Sequence, residues 1–90
     1  MNKTDLVNNI AKKSGLTKKD VETVLNSFFG EVTEALSSGE KVQLVGFGTF
    51  ETRKRSRRTG RNPQTGQEIV IPETNVPAFK AGNKLKEAVK

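Results

Sequence analysis

The chain has 90 residues, with 16 Lys and Arg against 10 Asp and Glu, and a formal net charge of +6. It contains no His, Cys, Trp or Tyr. This inventory excludes a disulfide framework, a thiolate nucleophile and a Cys-ligated metal, and it removes the commonest general base. Only 32% of the residues are hydrophobic, little for a self-sufficient globule, so a partner is expected to complete the core. Met1-Asn2-Lys3-Thr4-Asp5 lacks the apolar run of a secretory signal. No stretch approaches the roughly 18 apolar residues of a membrane span. A reducing, cytoplasmic setting is therefore expected.

The first half reads as helical. Leu6, Val7, Ile10 and Ala11 form one short stripe, with Lys12 and Lys13 in the last turn and Gly15 as the terminating residue. Thr17 has the chemistry of an N-cap, with Asp20 completing a weak capping box. Val21, Val24, Leu25, Phe28, Phe29, Val32 and Leu36 then recur at helical spacing. They predict a longer helix from Lys18 to Ser38, stopped by Gly39. Gly30, inside that helix, costs about 1 kcal/mol relative to Ala and suggests close approach of another helix.

The period changes after residue 40. Val42 and Leu44 alternate, and Gly46-Phe47-Gly48 is a turn with an aromatic residue at its centre. Thr49 to Arg58 continues as a strand, but beyond Phe50 neither face is apolar. Arg61-Asn62-Pro63-Gln64-Thr65-Gly66 is dense in turn formers, and Glu68-Ile69-Val70-Ile71-Pro72 returns as the partner strand. Pro72 and Pro77 suit edge or bulged positions. Asn75 to Phe79 brings the chain back to the core, and Lys80 to Lys90 closes it as a short helix. Residues 53–75 thus form an arm of two strands of about ten residues, projecting about 33 Å. A ribbon with no apolar layer is marginal alone. The remainder must bury five phenylalanines, which points to an obligate dimer sharing one core.

Catalysis has little to stand on. Gly46-Phe47-Gly48 lacks the third glycine and the following helix of a dinucleotide fingerprint, and no carboxylates fall in a metal-loop pattern. Neither an enzyme nor a cofactor is expected. Charge is the strong signal. Residues 1–40 carry five bases and six acids, whereas residues 41–90 carry eleven bases and four acids. Arg53 to Arg61 holds six bases and no acid. Such a run fits a polyanion, where each neutralised phosphate releases counterions. Arginine adds a planar fork that binds phosphate and suits an electronegative minor groove. Pro63 at the tip of a positive ribbon is either a turn residue or a wedge for a base step. Lys80, Lys84 and Lys86, with Lys3, make a second basic patch, read as a solubilising face or a flank for bent DNA.

Gly46-Phe47-Gly48-Thr49-Phe50, Arg58 to Gly66 with its G-R-N-P-x-T-G tip, and Ile71-Pro72 through Val76 to Gly82 resemble the bacterial histone-like HU and integration host factor family. The resemblance covers essentially the whole chain, as a single domain of residues 1–90. It implies an α+β fold: a helical base (residues 1–40), a small antiparallel sheet, a long β-ribbon arm and an intertwined homodimer. Minor-groove binding is already the known mode of that family. The resemblance places Lys3, Arg53, Arg55, Arg58, Arg61, Asn62, Pro63, Lys80 and Lys86 against DNA and Phe47, Phe50 and Phe79 in the dimer core, where the burial argument adds Phe28 and Phe29. Strict strand alternation from Arg53 selects Arg57 rather than Arg58, so a twist or bulge is expected between them.

Two residues depart from the family pattern. Asn83 stands where a Lys is common. Glu73 is expected either to weaken DNA binding or to pair with an arm arginine. The implied function is non-sequence-specific bending, wrapping and compaction of double-stranded DNA in the bacterial nucleoid, with preference for bent, nicked or mismatched sites. The alternatives are a sequence-specific integration-host-factor-like bender, an RNA-binding protein, and a protein that binds acidic partners or membrane surfaces.

Overall fold

A computed structural model describes all residues from Met1 to Lys90. The order of elements is α1 (Lys3–Ser14), α2 (Lys18–Ser37), β1 (Val42–Leu44), β2 (Gly48–Arg55), β3 (Arg58–Arg61), β4 (Glu68–Ile71), β5 (Thr74–Ala81) and α3 (Asn83–Ala88). The chain divides into two compact units, Met1–Glu34 and Ala35–Lys90. No helix is long and apolar enough to cross a membrane.

In the first unit, α1 begins with a complete capping box. The Asn2 side chain accepts the Asp5 N–H at 2.9 Å, and Asp5 Oδ2 accepts the Asn2 N–H at 3.2 Å. Gly15 ends α1 as expected, left-handed at φ 76° and donating to the Ala11 carbonyl. The Thr17 hydroxyl accepts the Asp20 N–H at 3.1 Å, so it caps α2. Only Val7 and Val21 are buried in this unit. Ile10, Leu16, Val21, Val24, Leu25 and Phe28 line a wholly apolar groove of about 210 Å³. A Cβ on Gly30 would meet nothing within 4 Å, so no contact inside this chain demands that glycine.

In the second unit, β1, β2 and β5 form an antiparallel sheet with β2 at its centre. β5 is an edge strand, where Pro77 is tolerated without its N–H. Phe79 lies in register with Phe50, with ring centroids 4.8 Å apart, and Phe47 packs on Phe79 at 5.6 Å.

The final helix is shorter than the expected span from Lys80. Lys80 pairs with Thr49 and Ala81 with Gly48, so both belong to β5. The turn from β5 into α3 is locked at Gly82, whose N–H donates to the Phe47 carbonyl at 2.7 Å. A Cβ there would lie 2.7 Å from the Gly46 oxygen and 2.9 Å from the Phe47 carbonyl carbon, both backbone atoms. Gly82→Ala should therefore cost about 1–3 kcal/mol, visible as a lower urea midpoint with unchanged slope.

Candidate nucleic-acid interface

The arm grows directly out of the central strand of the sheet. β2 and β5 stay paired out to Arg55 opposite Thr74, and β3 and β4 resume at Arg58 opposite Ile71. Ser56–Arg57 and Pro72–Glu73 lie between them and belong to no strand. The expected continuous strand from Thr49 to Arg58 is thus cut in two. Pro72 supplies the reason, because it has no N–H to give the ladder. Two residues intervene on each side, so the register carries through with no inserted residue. The expected irregularity between Arg53 and Arg58 is therefore a loss of pairing and not a bulge, which would need an extra residue on one strand. Arg57 falls in the gap, whereas Arg58 opens β3.

The outer ribbon is short, four residues per strand or about 13 Å. One of its strands is basic and the other is apolar apart from Glu68, which lies opposite Arg61; Ile69 and Val70 are both exposed. Gly60 lies beneath Ile69 and Ile71, and a Cβ on it would come within 3.2 Å of Ile71 Cδ1.

Asn62 organises the tip. Its N–H donates to the Gln67 carbonyl at 2.8 Å, and its carbonyl accepts the Gly66 N–H at 2.7 Å. Its side-chain Oδ1 accepts the Gln64 N–H at 2.9 Å. The turn is thereby closed on both sides of Pro63, whose ring is exposed at the apex. A free ribbon end would otherwise sample many conformations.

The cations divide into two groups. Near the root of the arm they have carboxylate partners. Arg53 Nη2 lies 3.3 Å from Glu51 Oε1, and Lys41 Nζ lies 3.7 Å from Glu51 Oε2. Lys54 Nζ lies 3.0 Å from Glu73 Oε1. The expectation for Glu73 is corrected here: its partner is a lysine and not an arm arginine. Farther out, Arg55, Arg57, Arg58 and Arg61 are exposed and have no carboxylate partner. Four unshielded guanidinium groups on a narrow ribbon produce a strong local positive potential.

The other expected site residues lie elsewhere. Lys80 is exposed on β5, and Lys86 is in the last turn of α3. Lys3 belongs to the helical unit, where its ammonium donates to Asn26 Oδ1 and lies 5.9 Å from the Phe29 ring centroid. Among the expected core aromatics, Phe47, Phe50 and Phe79 form one cluster, yet Phe47 remains 49% exposed and Phe79 40%. In the helical unit Phe28 and Phe29 stand edge to face at 6.1 Å, and Phe29 is 43% exposed.

Comparison with known proteins places this geometry in context. The family described as bacterial DNA-binding protein matches residues 1–90. The DNA-binding protein HU of Lactococcus lactis is 64% identical over 89 residues, covering 99% of this chain and 98% of that one. The DNA-binding protein HU of Geobacillus stearothermophilus is 58% identical over 90 residues, covering all of both. Among solved structures, an Anabaena HU–DNA cocrystal structure superposes with a TM-score of 0.92 at 50% identity, over 99% of this chain and 97% of that one. HU from Thermotoga maritima gives 0.71 at 41% identity over both full chains.

The tip geometry has a direct test. Asn62→Ala removes the acceptor for the Gln64 N–H, worth about 0.5–1.5 kcal/mol, and should lower the NMR order parameters of residues 63–66. Asn62→Asp retains an acceptor oxygen and should preserve them.

Proposed function

Because the chain belongs to the bacterial DNA-binding protein family, we propose that it acts as a non-sequence-specific architectural protein that bends and compacts double-stranded DNA. The observation that carries this reading is the outer arm, with four unpartnered arginines leading to a preformed turn with Pro63 at its apex. The similarity to an HU solved with DNA supports it.

In this reading the arm follows the minor groove. Arg53, Arg55, Arg58 and Arg61 meet phosphates and the electronegative groove floor. Pro63 enters a base step, and Asn62 fixes the direction of the wedge. Unstacking a step costs a few kcal/mol, recovered as the bent duplex meets more protein surface. Sites already bent, nicked or mismatched need less deformation and are preferred. Lys3, Lys80 and Lys86 bind phosphates flanking the bend. Phosphate contacts position the protein but carry no base information, which accounts for the lack of sequence preference. Its place of action is the bacterial nucleoid, and the reading assigns it no catalysis.

The active species in this proposal is a homodimer of the 90-residue domain. Support comes from the apolar groove between Ile10 and Phe28 and from the exposure of Phe29, Phe47 and Phe79. A second copy covers these faces and supplies the second arm.

Two substitutions separate capture from bending. Pro63→Ala should keep most of the affinity but reduce the bend angle measured by energy transfer across a labelled duplex. An unchanged angle at saturating protein would eliminate the wedge. Arg58→Ala or Arg61→Ala should weaken binding equally on several scrambled duplexes, flattening the log affinity against log salt slope by about 0.9 per lost phosphate contact. A loss confined to one sequence would contradict non-specific recognition.

A further inference from the structure

The root of the arm carries a second kind of functional residue. Glu73 lies in the unpaired stretch where the ribbon ladder is broken, and it reaches Lys54 on the opposite strand at 3.0 Å. Glu51, only 18% exposed, holds Arg53 on the same strand. Beyond this point the four arm cations form no ion pair, although Glu68 stands opposite Arg61 in the ladder. The charge is therefore graded along the arm, paired at the root and unpaired toward the tip.

We propose that Glu73 acts as an internal competitor for phosphate that keeps Lys54 out of DNA capture by the arm. The inference rests on the DNA-binding reading above and identifies a residue that limits that binding. A phosphate approaching Lys54 must displace a carboxylate already in contact with it. Lys54 then contributes little to affinity or to counterion release, although it belongs to the densest basic run in the chain. The outer arginines face no such competition and take the first phosphates.

The pair is open to direct test, because Glu73 and Lys54 are both solvent-exposed and neither substitution removes buried contacts. The experiment is a double-mutant cycle. Wild type, Glu73→Gln, Lys54→Gln and the double variant are titrated with one scrambled-sequence duplex across a range of salt concentrations. Matching denaturation curves establish equal folding. Glu73→Gln should tighten binding about two- to fivefold, the range of an exposed ion pair. It should also steepen the salt slope by up to about 0.9 for each arm engaged. Lys54→Gln alone should stay within about twofold of wild type.

The double variant decides between competition and simple charge. Binding by the double variant equal to that of Lys54→Gln supports competition for Lys54. An undiminished gain from Glu73→Gln in the Lys54→Gln background overturns it, because Glu73 would then act only as a general negative charge. A large loss from Lys54→Gln overturns it as well, since it makes Lys54 a free phosphate ligand. If wild type fails to bind even at low salt, the DNA-binding reading itself falls and takes this inference with it.

Discussion

A shortage of apolar burial governs the molecule. Two valines are the only buried hydrophobic residues in a chain of 90, and neither is completely enclosed. Three of its five phenylalanines keep two-fifths or more of their surface exposed. A chain of this size buries a smaller fraction of its surface than a larger domain does, and here residues 53–75 are spent on an arm with almost no interior. The apolar groove in the helical unit and the Phe47–Phe50–Phe79 cluster in the other are surfaces that one chain leaves open. Association of two copies is the economical physical answer. In the proposed function it also places two arms on one particle, so that a duplex can be gripped on both sides.

The arm follows from the same constraint read in reverse. Burying little, it is held by main-chain pairing, by turn geometry and by its continuity with the central strand β2. Pairing fails at Pro72 and resumes with its register intact, so the outer ribbon is joined to the sheet through an unpaired segment. At the tip the order is local. Three hydrogen bonds from Asn62 close the turn, and the proline they frame has its φ already fixed by its ring. Charge then sets the division of labour, with carboxylates at the root and unpaired guanidinium groups beyond.

Much of this was legible in the residues. The helical stripe from Val21 to Leu36 and the terminator Gly39 predicted α2 to within one residue, and Gly15 marked the end of α1, because periodicity and caps are local signals. The turn around Phe47 and the return strand Glu68–Ile71 were equally plain. The errors lie where long-range pairing decides. Lys80 and Ala81 looked like the start of a helix, but β5 claims them as partners of Thr49 and Gly48. The break at Ser56–Arg57 has no signal in those residues, because its cause is Pro72, far along the returning strand. The Asn2–Asp5 capping box was visible in the sequence and was overlooked. The partner of Glu73 could not be chosen among several neighbouring cations without the fold. The basic run and the proline tip pointed to the candidate interface; which of its cations are already paired is a matter of geometry.

In the proposed mechanism charge captures the duplex and the arms then bend it. The mechanism is tested most directly by titrating the protein onto a scrambled-sequence duplex labelled at both ends for energy transfer, at several salt concentrations. The account predicts binding that weakens steeply with salt, accompanied by a rise in transfer as the duplex ends draw together. Salt-dependent binding with an unchanged end-to-end distance would contradict it, leaving a basic protein that coats DNA without shaping it.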